Sequence, residues 1–199
     1  MRVGRSRAGA RIAPPTIPQR GARFAPMANL GLALGIVFWS GLVGPAWAHD
    51  DPRQPEYNAM LDACYQDAED PAGRSACKGI VSGACMEHPD GQTTLGMSLC
   101  AHSETQAWDV LLNAEYRQTL AWAKYMDAED QENFPEFAKR EAALRDAQRA
   151  WLKFREAECG LDYAVWGAGS MRHIAGSACY ADMTADRTIR LRDIRETMR

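Results

Sequence analysis

The chain has 199 residues, with 23 basic and 26 acidic side chains and a formal charge of −3. Residues 1–48 hold six arginines and no acid, so residues 49–199 carry 17 basic and 26 acidic side chains, a formal charge of −9. This acidity makes nucleic acid and anionic membrane surfaces poor partners, and it favours a basic protein or a cationic substrate on encounter. A plainer interpretation is that the charge only keeps a small exported domain soluble.

Residues 1–48 are typical of a secretory signal sequence with a long basic leader. Their apolar stretch, residues 30–43, ends shortly before Ala-Trp-Ala, the small-x-small pattern that signal peptidase cuts. The stretch is shorter than the roughly 20 apolar residues that a membrane-spanning helix needs, and no cysteine for a lipid anchor lies near the cut. We therefore predict cleavage after Ala48, translation from Met1 or Met27, and a periplasmic or secreted protein without a stable membrane anchor.

Residues 49–199 are predicted to form a single all-α domain. They show no strand pattern, and about 150 residues are enough for one hydrophobic core. Two short helices are expected first, over residues 55–68 and 73–87. Two long helices follow, and their ends are indicated by capping residues and helix breakers.

The first long helix is capped by Thr93 or Thr94 and reaches Met126. An acidic turn follows, and Asn133 with Pro135 then supplies the cap and the early-turn proline of the second long helix. Each helix of about 33 residues extends roughly 50 Å, which is too long for the short helices alone to cover. We therefore expect an elongated antiparallel helical hairpin, with the disulfide-tied N-terminal helices and a pair of C-terminal helices flanking the same end.

Glycine and serine at residues 167–170 end the second long helix near Trp166. Helix is expected to resume over residues 171–182. A last, strongly charged helix is expected to begin at Thr184, a residue type that favours helix caps.

One charged pair is expected across the hairpin. Glu104 interrupts the apolar stripe of the first long helix, and Arg155 flanks the stripe of the second near the same end. A buried charge without a partner is strongly destabilising. The sequence therefore predicts an ion pair between Arg155 and Glu104.

The six cysteines, all within residues 49–199, are expected to form three disulfides, because an even count in an oxidising compartment is typical of a disulfide framework. Residues equidistant from the turn of a helical hairpin face each other, and three cysteine pairs are centred at or beside a helix breaker. A zinc site is the alternative, but no Cys-x-x-Cys pair is present, so no metal is expected. The predicted pairs are Cys64–Cys77, Cys85–Cys100 and Cys159–Cys179.

The second long helix carries the most specific pattern of the chain, Leu-Arg-Asp-Ala-Gln-Arg-Ala-Trp-Leu-Lys-Phe-Arg-Glu-Ala-Glu-Cys over residues 144–159. Three further patterns accompany it: Thr-Thr-x-x-Met-x-x-Cys at 93–100, Trp-Asp-x-x-Leu-Asn-x-x-Tyr at 108–116 and Cys-x-x-x-x-Thr-x-x-Arg at 179–187. Together they resemble the LprI-type lysozyme inhibitor family over about residues 85–192. The chain departs from the family pattern in two additional N-terminal cysteines and in Gly-Ala-Gly-Ser where Gly-Gly-Ser is common.

The resemblance implies an exported helical domain that inhibits lysozyme, with a basic protein as partner and no cofactor. The histidines lie in no recognisable catalytic arrangement, so we expect a protein that is not an enzyme. The alternative is a periplasmic structural or interaction module for another envelope partner, built on the same disulfide-tied hairpin. A lysis assay with and without the protein distinguishes the two.

Two segments are candidates for contact with a lysozyme cleft. The glycine-containing loop is favoured, because glycines permit a tight protrusion and an aromatic flanked by polar groups can act as a desolvated anchor. The acidic turn would mainly raise the association rate. Each also has a plain interpretation, as a hinge between helices and as a solvated turn. The candidate residues are Tyr163, Trp166, Gly169, Ser170 and Arg172 in the loop, and Asp127, Glu129, Asp130 and Glu132 in the turn.

Overall fold

The computed structural model describes residues 51–198, so the predicted signal sequence lies outside the described part of the chain. Residues 51–198 contain no strand, which confirms the all-α class. The helices are α1 (Gln54–Asp67), α2 (Pro71–Ser75), α3 (Ile80–Met86), α4 (Thr94–Asp130), α5 (Arg140–Val165) and α6 (Met171–Thr197). In this part of the chain, no helix is long and apolar enough to cross a membrane.

The long helices α4 and α5 form the predicted antiparallel hairpin. At their connecting turn, Arg140 of α5 pairs with Asp127 of α4 at 3.2 Å. Farther along, Arg155 of α5 reaches Asp109 of α4 at 3.4 Å. The short helices α1 and α3 pack against α4, which gives the hairpin its flanking elements.

A third long helix, α6, lies along this hairpin. Near its start, the Ser177 hydroxyl is 2.8 Å from the Ser98 hydroxyl at the beginning of α4. Farther on, the Thr119 hydroxyl of α4 donates a 3.0 Å hydrogen bond to the Leu191 carbonyl. α6 is therefore parallel to α4, and it packs on α4 more extensively than α5 does.

The predicted pair of C-terminal helices at one end of the hairpin is wrong, because Met171–Thr197 forms a single helix that lies along the hairpin. Thr184 lies inside this helix and does not cap it. Its hydroxyl donates a 2.6 Å hydrogen bond to the Tyr180 carbonyl one turn earlier, which is how a threonine is accommodated within a helix. The same oxygen accepts a 2.7 Å hydrogen bond from the Arg155 guanidinium. These two bonds satisfy the polar group of a fully buried side chain.

α5 begins at Arg140, later than the start at Asn133 that the sequence predicts. The Asp127 carboxylate accepts 2.9 Å hydrogen bonds from the backbone N–H groups of Arg140 and Glu141. The first N–H groups of a helix have no partner within it, so Asp127 caps α5 from the end of α4. The sequence near Arg140 does not reveal this cap, because Asp127 lies 13 residues earlier. Asn133 and Pro135 form a typical helix-start pattern, which is why the start was predicted there.

The predicted helix over residues 73–87 is divided into α2 and α3 at Gly79, whose φ of +86° favours glycine. The buried carboxylate of Glu104 in α4 holds this break. It accepts hydrogen bonds from the backbone N–H groups of Gly79 at 2.5 Å and Ser82 at 2.9 Å, and from the Trp108 indole at 3.2 Å. A carboxylate at a helix N-terminus is stabilised by the unpaired N–H groups and by the helix dipole.

The predicted ion pair between Arg155 and Glu104 is therefore wrong, because Glu104 is engaged by α3 and by its own helix. Arg155 contacts Asp109 instead. Its guanidinium also lies over two aromatic rings, 4.8 Å from the centre of Trp151 and 5.6 Å from that of Tyr180. The cation–π contact with Tyr180 joins α5 to α6.

The start of α4 is fixed by Thr93, whose hydroxyl accepts a 2.9 Å hydrogen bond from the Gly96 N–H. A Cβ at Gly96 would lie 1.9 Å from the Asp90 carbonyl oxygen, so only glycine fits there. The close approach explains why a glycine interrupts the apolar stripe of this helix.

The hydrophobic core lies between α1, α3, α4 and α6. Trp108 is completely buried there and meets the Tyr65 ring edge-on, with ring centroids 5.9 Å apart. The three predicted disulfides are confirmed. Cys64–Cys77 joins α1 to the α2–α3 connection, Cys85–Cys100 joins α3 to α4, and Cys159–Cys179 joins α5 to α6.

A buried polar network ties α1, α4 and α6 together. Glu115 of α4 pairs with Arg195 of α6, and both side chains are almost inaccessible to solvent. Arg195 also donates to the Thr119 hydroxyl at 3.1 Å and to Gln118 at 2.9 Å. The Tyr65 hydroxyl of α1 donates to the Glu115 carboxylate at 3.3 Å. This arrangement provides several hydrogen-bond partners for an ion pair that would otherwise be costly to bury.

Candidate functional site

The α5–α6 loop, residues 166–170, lies at the far end of α5 from the acidic turn. Gly167 adopts a left-handed φ of +54°, which glycine accommodates just past a helix C-terminus. Its N–H donates a 3.0 Å hydrogen bond to the Ala164 carbonyl, and the Gly169 N–H donates a 2.9 Å bond to the Trp166 carbonyl. The loop is therefore a tight turn with hydrogen bonds within its own backbone.

Side chains on either side of the α5–α6 loop brace it. The Arg172 guanidinium donates a 3.2 Å hydrogen bond to the Gly167 carbonyl and lies 5.5 Å from the centre of the Tyr163 ring. His173 meets the same ring edge-on, with centroids 5.3 Å apart. The structure thus brings two predicted site residues, Tyr163 and Arg172, into contact, just beyond the disulfide that joins α5 to α6.

Trp166 and Ser170 stand at the two ends of the loop and are accessible. The Trp166 side chain is 49% exposed, and the Ser170 side chain makes no capping hydrogen bond to α6. An aromatic held on a hydrogen-bonded turn loses little conformational freedom on binding another surface. Other apolar residues next to the loop in α5 and α6 are also exposed: Leu161, Tyr163, Val165 and Met171.

A groove of about 290 Å³ lies beside Tyr163, between the ends of α4, α5 and α6. Ser98, His173 and Ser177 contribute polar groups to its lining. The Ser98 hydroxyl also lies 3.3 Å from the His173 carbonyl, which links α4 to the first turn of α6. The groove therefore offers hydrogen-bonding groups next to the aromatic surface of the loop.

The predicted end of the first long helix at Met126 is wrong, because α4 continues to Asp130 and includes most of the acidic turn, residues 127–132. Two of the four carboxylates of this turn form contacts within the fold. Arg140 pairs with Asp127 at 3.2 Å and with Asp130 at 2.7 Å. Burial alone would raise the pKa of Asp127, but hydrogen bonds from Glu141 and Arg140 outweigh it and hold that pKa below its ordinary value of 3.8. Asp127 and Asp130 therefore stabilise the start of α5.

The other two predicted acids of the turn, Glu129 and Glu132, are exposed. Just beyond them, the Phe134 and Phe137 side chains are 55% and 63% exposed, with ring centroids 6.5 Å apart. Sequence reasoning does not single out these phenylalanines, because it places them within a helix. Their positions on either side of Pro135 are the signal that favours an exposed turn.

The two predicted groups of residues do not form one site. They are separated by the 26 residues of α5, which span about 39 Å at the helical rise. Within residues 51–198, no group of three or more His, Cys, Asp or Glu side chains is arranged to hold a metal ion. The α5–α6 loop thus presents aromatic, hydroxyl and guanidinium groups, and the acidic turn presents two carboxylates and two phenylalanines.

Comparison with known proteins agrees with the sequence patterns. The family model described as lysozyme inhibitor LprI matches residues 85–191, a range that includes both the acidic turn and the α5–α6 loop. An uncharacterized protein of Rhizobium meliloti (strain 1021) is 32% identical over 103 residues, which cover 52% of this chain and 74% of that protein. No solved structure gives a significant match. The chain therefore belongs to the LprI lysozyme inhibitor family.

Proposed function

We propose that this protein inhibits lysozyme and that the α5–α6 loop makes the inhibitory contact. The observation that carries the proposal is the half-exposed Trp166 on a hydrogen-bonded turn, within the region matched by the lysozyme inhibitor family. An exposed tryptophan is typical of the anchors that dominate protein interfaces. Because Arg172 and the neighbouring disulfide brace the turn, its entry into a cleft requires little further ordering.

The charge of the chain supports a basic partner. Residues 49–199 carry a formal charge of −9, which attracts a basic enzyme over a distance of about a Debye length, roughly 8–10 Å at physiological salt. The exposed carboxylates of Glu129 and Glu132 add to this field at the far end of α5. In this proposal they accelerate the encounter, and the loop determines how long the complex lasts.

We also propose that residues 1–48 are a signal sequence and that residues 49–199 act outside the cytoplasm as a single domain. The basic leader, the apolar stretch and the Ala-Trp-Ala pattern support this. N-terminal sequencing of the protein recovered from the periplasm or the medium should begin at His49. An exported protein that retains the leader would contradict the cleavage.

The central experiment measures lysis of a bacterial cell-wall suspension by a basic lysozyme at increasing concentrations of residues 49–199. The parent should inhibit lysis. The double variant Trp166→Ala with Ser170→Ala should require about 30-fold more protein for half inhibition, as expected when an anchor worth about 2 kcal/mol is removed. Its thermal midpoint should stay close to that of the parent, because both side chains are exposed.

A matched control removes an exposed aromatic and a polar side chain from the other end of α5. The variant Phe137→Ala with Glu132→Ala should inhibit within about threefold of the parent at physiological salt. If the control loses inhibition and the loop variant keeps it, the acidic turn is the contact surface. If the parent inhibits no class of lysozyme, the alternative of an interaction module for another envelope partner replaces this proposal.

A further inference from the structure

A second groove, of about 460 Å³, opens between α4, α5 and α6 near the acidic turn. We call it the three-helix groove. Its volume is in the range of small-molecule sites, which are usually apolar with a few polar groups at defined places. Its apolar lining includes Trp122, Ala123, Met126, Leu144, Ala147 and Ile194.

Two arginines line the three-helix groove, and they differ in their partners. Arg140 is neutralised by Asp127 and Asp130. Arg187 of α6 donates from Nε to the Gln148 side-chain carbonyl at 2.9 Å, and its guanidinium lies 5.8 Å from the centre of the Trp151 ring. Both of these partners are uncharged. Arg187 therefore places a positive charge beside the apolar lining of the groove, and its Gln148 and Trp151 contacts do not neutralise that charge.

The surroundings of Arg187 penalise that charge. The side chain is half-buried, and burial, with a smaller contribution from the nearby charge of Arg190, lowers its pKa below the ordinary value. Among residues 51–198, no carboxylate forms an ion pair with it. A desolvated guanidinium gains most from an anionic partner, and its planar fork matches a carboxylate.

We propose that the three-helix groove binds a small amphipathic monocarboxylate of the fatty-acid type, with its carboxylate on Arg187 and its alkyl chain among the apolar side chains. Charge complementarity determines the head group of this ligand, and the apolar lining determines its tail. The site lies near the acidic turn, at the other end of α5 from the loop proposed to contact lysozyme. The inference is therefore independent of the inhibitory activity.

Isothermal titration calorimetry of residues 49–199 with octanoate tests the proposal, and 1-octanol serves as the uncharged ligand of equal chain length. Octanoate should bind at a single site with a dissociation constant of about 1 mM or tighter, as expected for a ligand of ten heavy atoms. 1-Octanol should bind about tenfold more weakly, since it lacks the charge that Arg187 recognises.

Three variants assign the binding to this groove. Arg187→Met removes the charge and replaces the aliphatic stem of the arginine with an unbranched apolar side chain. It should weaken octanoate binding at least about tenfold, while 1-octanol binding stays within about twofold of the parent. Ala147→Phe fills the groove and should weaken the binding of both ligands. Arg117→Met removes an exposed arginine of α4 that does not line the groove, and it should leave both affinities unchanged.

Retained 1-octanol binding by Arg187→Met shows that the groove of this variant is intact, so a folding defect is separated from the loss of charge recognition. The absence of octanoate binding to the parent overturns the proposal. Equal octanoate affinity of the parent and Arg187→Met also overturns it. Unchanged octanoate binding by Ala147→Phe does so as well, because the ligand would then lie elsewhere.

Discussion

The two ends of α5 differ in which of their candidate binding residues form contacts within the fold and which stay exposed. At its N-terminal end, the carboxylates of Asp127 and Asp130 are consumed by the fold, because they hold Arg140 and the first N–H groups of the helix. At its C-terminal end, Arg172 braces the turn from the side, and the Trp166 side chain stays accessible. Residues that look equally suited to binding in the sequence therefore separate into those that build the fold and those that remain free to contact a partner.

The number of acidic residues in a segment does not tell how many of them are available to a partner. An acidic run is usually treated as a uniform patch, but only Glu129 and Glu132 of the four carboxylates in the turn are exposed. Asp127 and Asp130, which pair with Arg140, contribute mainly to stability and less to the electrostatic potential of the surface. Variants at the two ends of α5 should therefore affect stability and inhibition differently.

Removing the disulfide next to the loop should have the largest effect. The double variant Cys159→Ala with Cys179→Ala opens a bridge with a sequence separation of 20, which should lower the free energy of unfolding by about 3 kcal/mol. Inhibition should also weaken at temperatures where the variant is folded, because α5 and α6 lose the covalent link that holds them together next to the turn. Chemical denaturation and the lysis assay measure the two effects. The control is Cys64→Ala with Cys77→Ala, which should lose stability while a folded sample inhibits like the parent.

The next effect is on the start of α5. Asp127→Asn weakens a carboxylate that accepts two backbone hydrogen bonds and pairs with Arg140, so the thermal midpoint should fall by several degrees. Glu129→Gln, which neutralises an exposed acid two residues later, should leave the midpoint unchanged. Circular dichroism during heating measures both variants. Equal midpoints for Asp127→Asn and the parent would show that the cap does not stabilise the helix.

Acid should destabilise the fold by protonating Glu196 of α6 and Asp127 of the acidic turn. Hydrogen bonds from Arg192 and Arg74 lower the pKa of Glu196 below 4.5 despite an opposing effect of burial, and the pKa of Asp127 lies below 3.8. A lowered carboxyl pKa contributes stability that is complete above the ordinary pKa and is lost as the pH falls through the lowered value. The thermal midpoint should therefore be nearly flat from about pH 7 to 5 and should fall below about pH 4.5. Asp127→Asn should show a smaller loss on acidification than the parent.

The smallest effect concerns the two exposed acids of the turn. Glu129→Gln with Glu132→Gln should weaken inhibition by less than about threefold at low salt, because these charges act on the encounter. Near 0.15 M salt the difference from the parent should disappear, as charges farther apart than a Debye length are screened. The lysis assay at two salt concentrations measures it. A loss that persists at high salt would indicate direct contact by these carboxylates.

Local patterns predicted the parts of the fold that local interactions determine. The disulfides follow from the positions of breakers between cysteines, and the Thr93 cap follows from its own sequence neighbours. The family motifs over residues 85–191 also predicted the fold class. In each case the interacting groups are near in sequence or belong to a recognisable pattern.

The errors share a different cause, which is a partner supplied by a distant helix. Glu104 was assigned to Arg155 because its partners across the fold are the backbone N–H groups of Gly79 and Ser82, which carry no sequence signal. Thr184 looked like a cap because the Arg155 guanidinium that binds its hydroxyl lies 29 residues away. The exposed Trp166 of the candidate site was predictable from its glycine-rich surroundings, but the bracing by Arg172 and His173 required the packed structure.

The connectivity of the disulfides divides the covalent framework at the connection between α4 and α5. Two bridges lie on the N-terminal side of residues 131–139 and one lies on the C-terminal side, so none spans this segment. A single proteolytic cut there would leave two chains without a covalent link, held together by the packing of α6 and α5 on α4, by the network around Glu115 and by the Arg74–Glu196 ion pair. Across this connection the molecule is therefore held by one stretch of backbone and by noncovalent contacts, and by no disulfide.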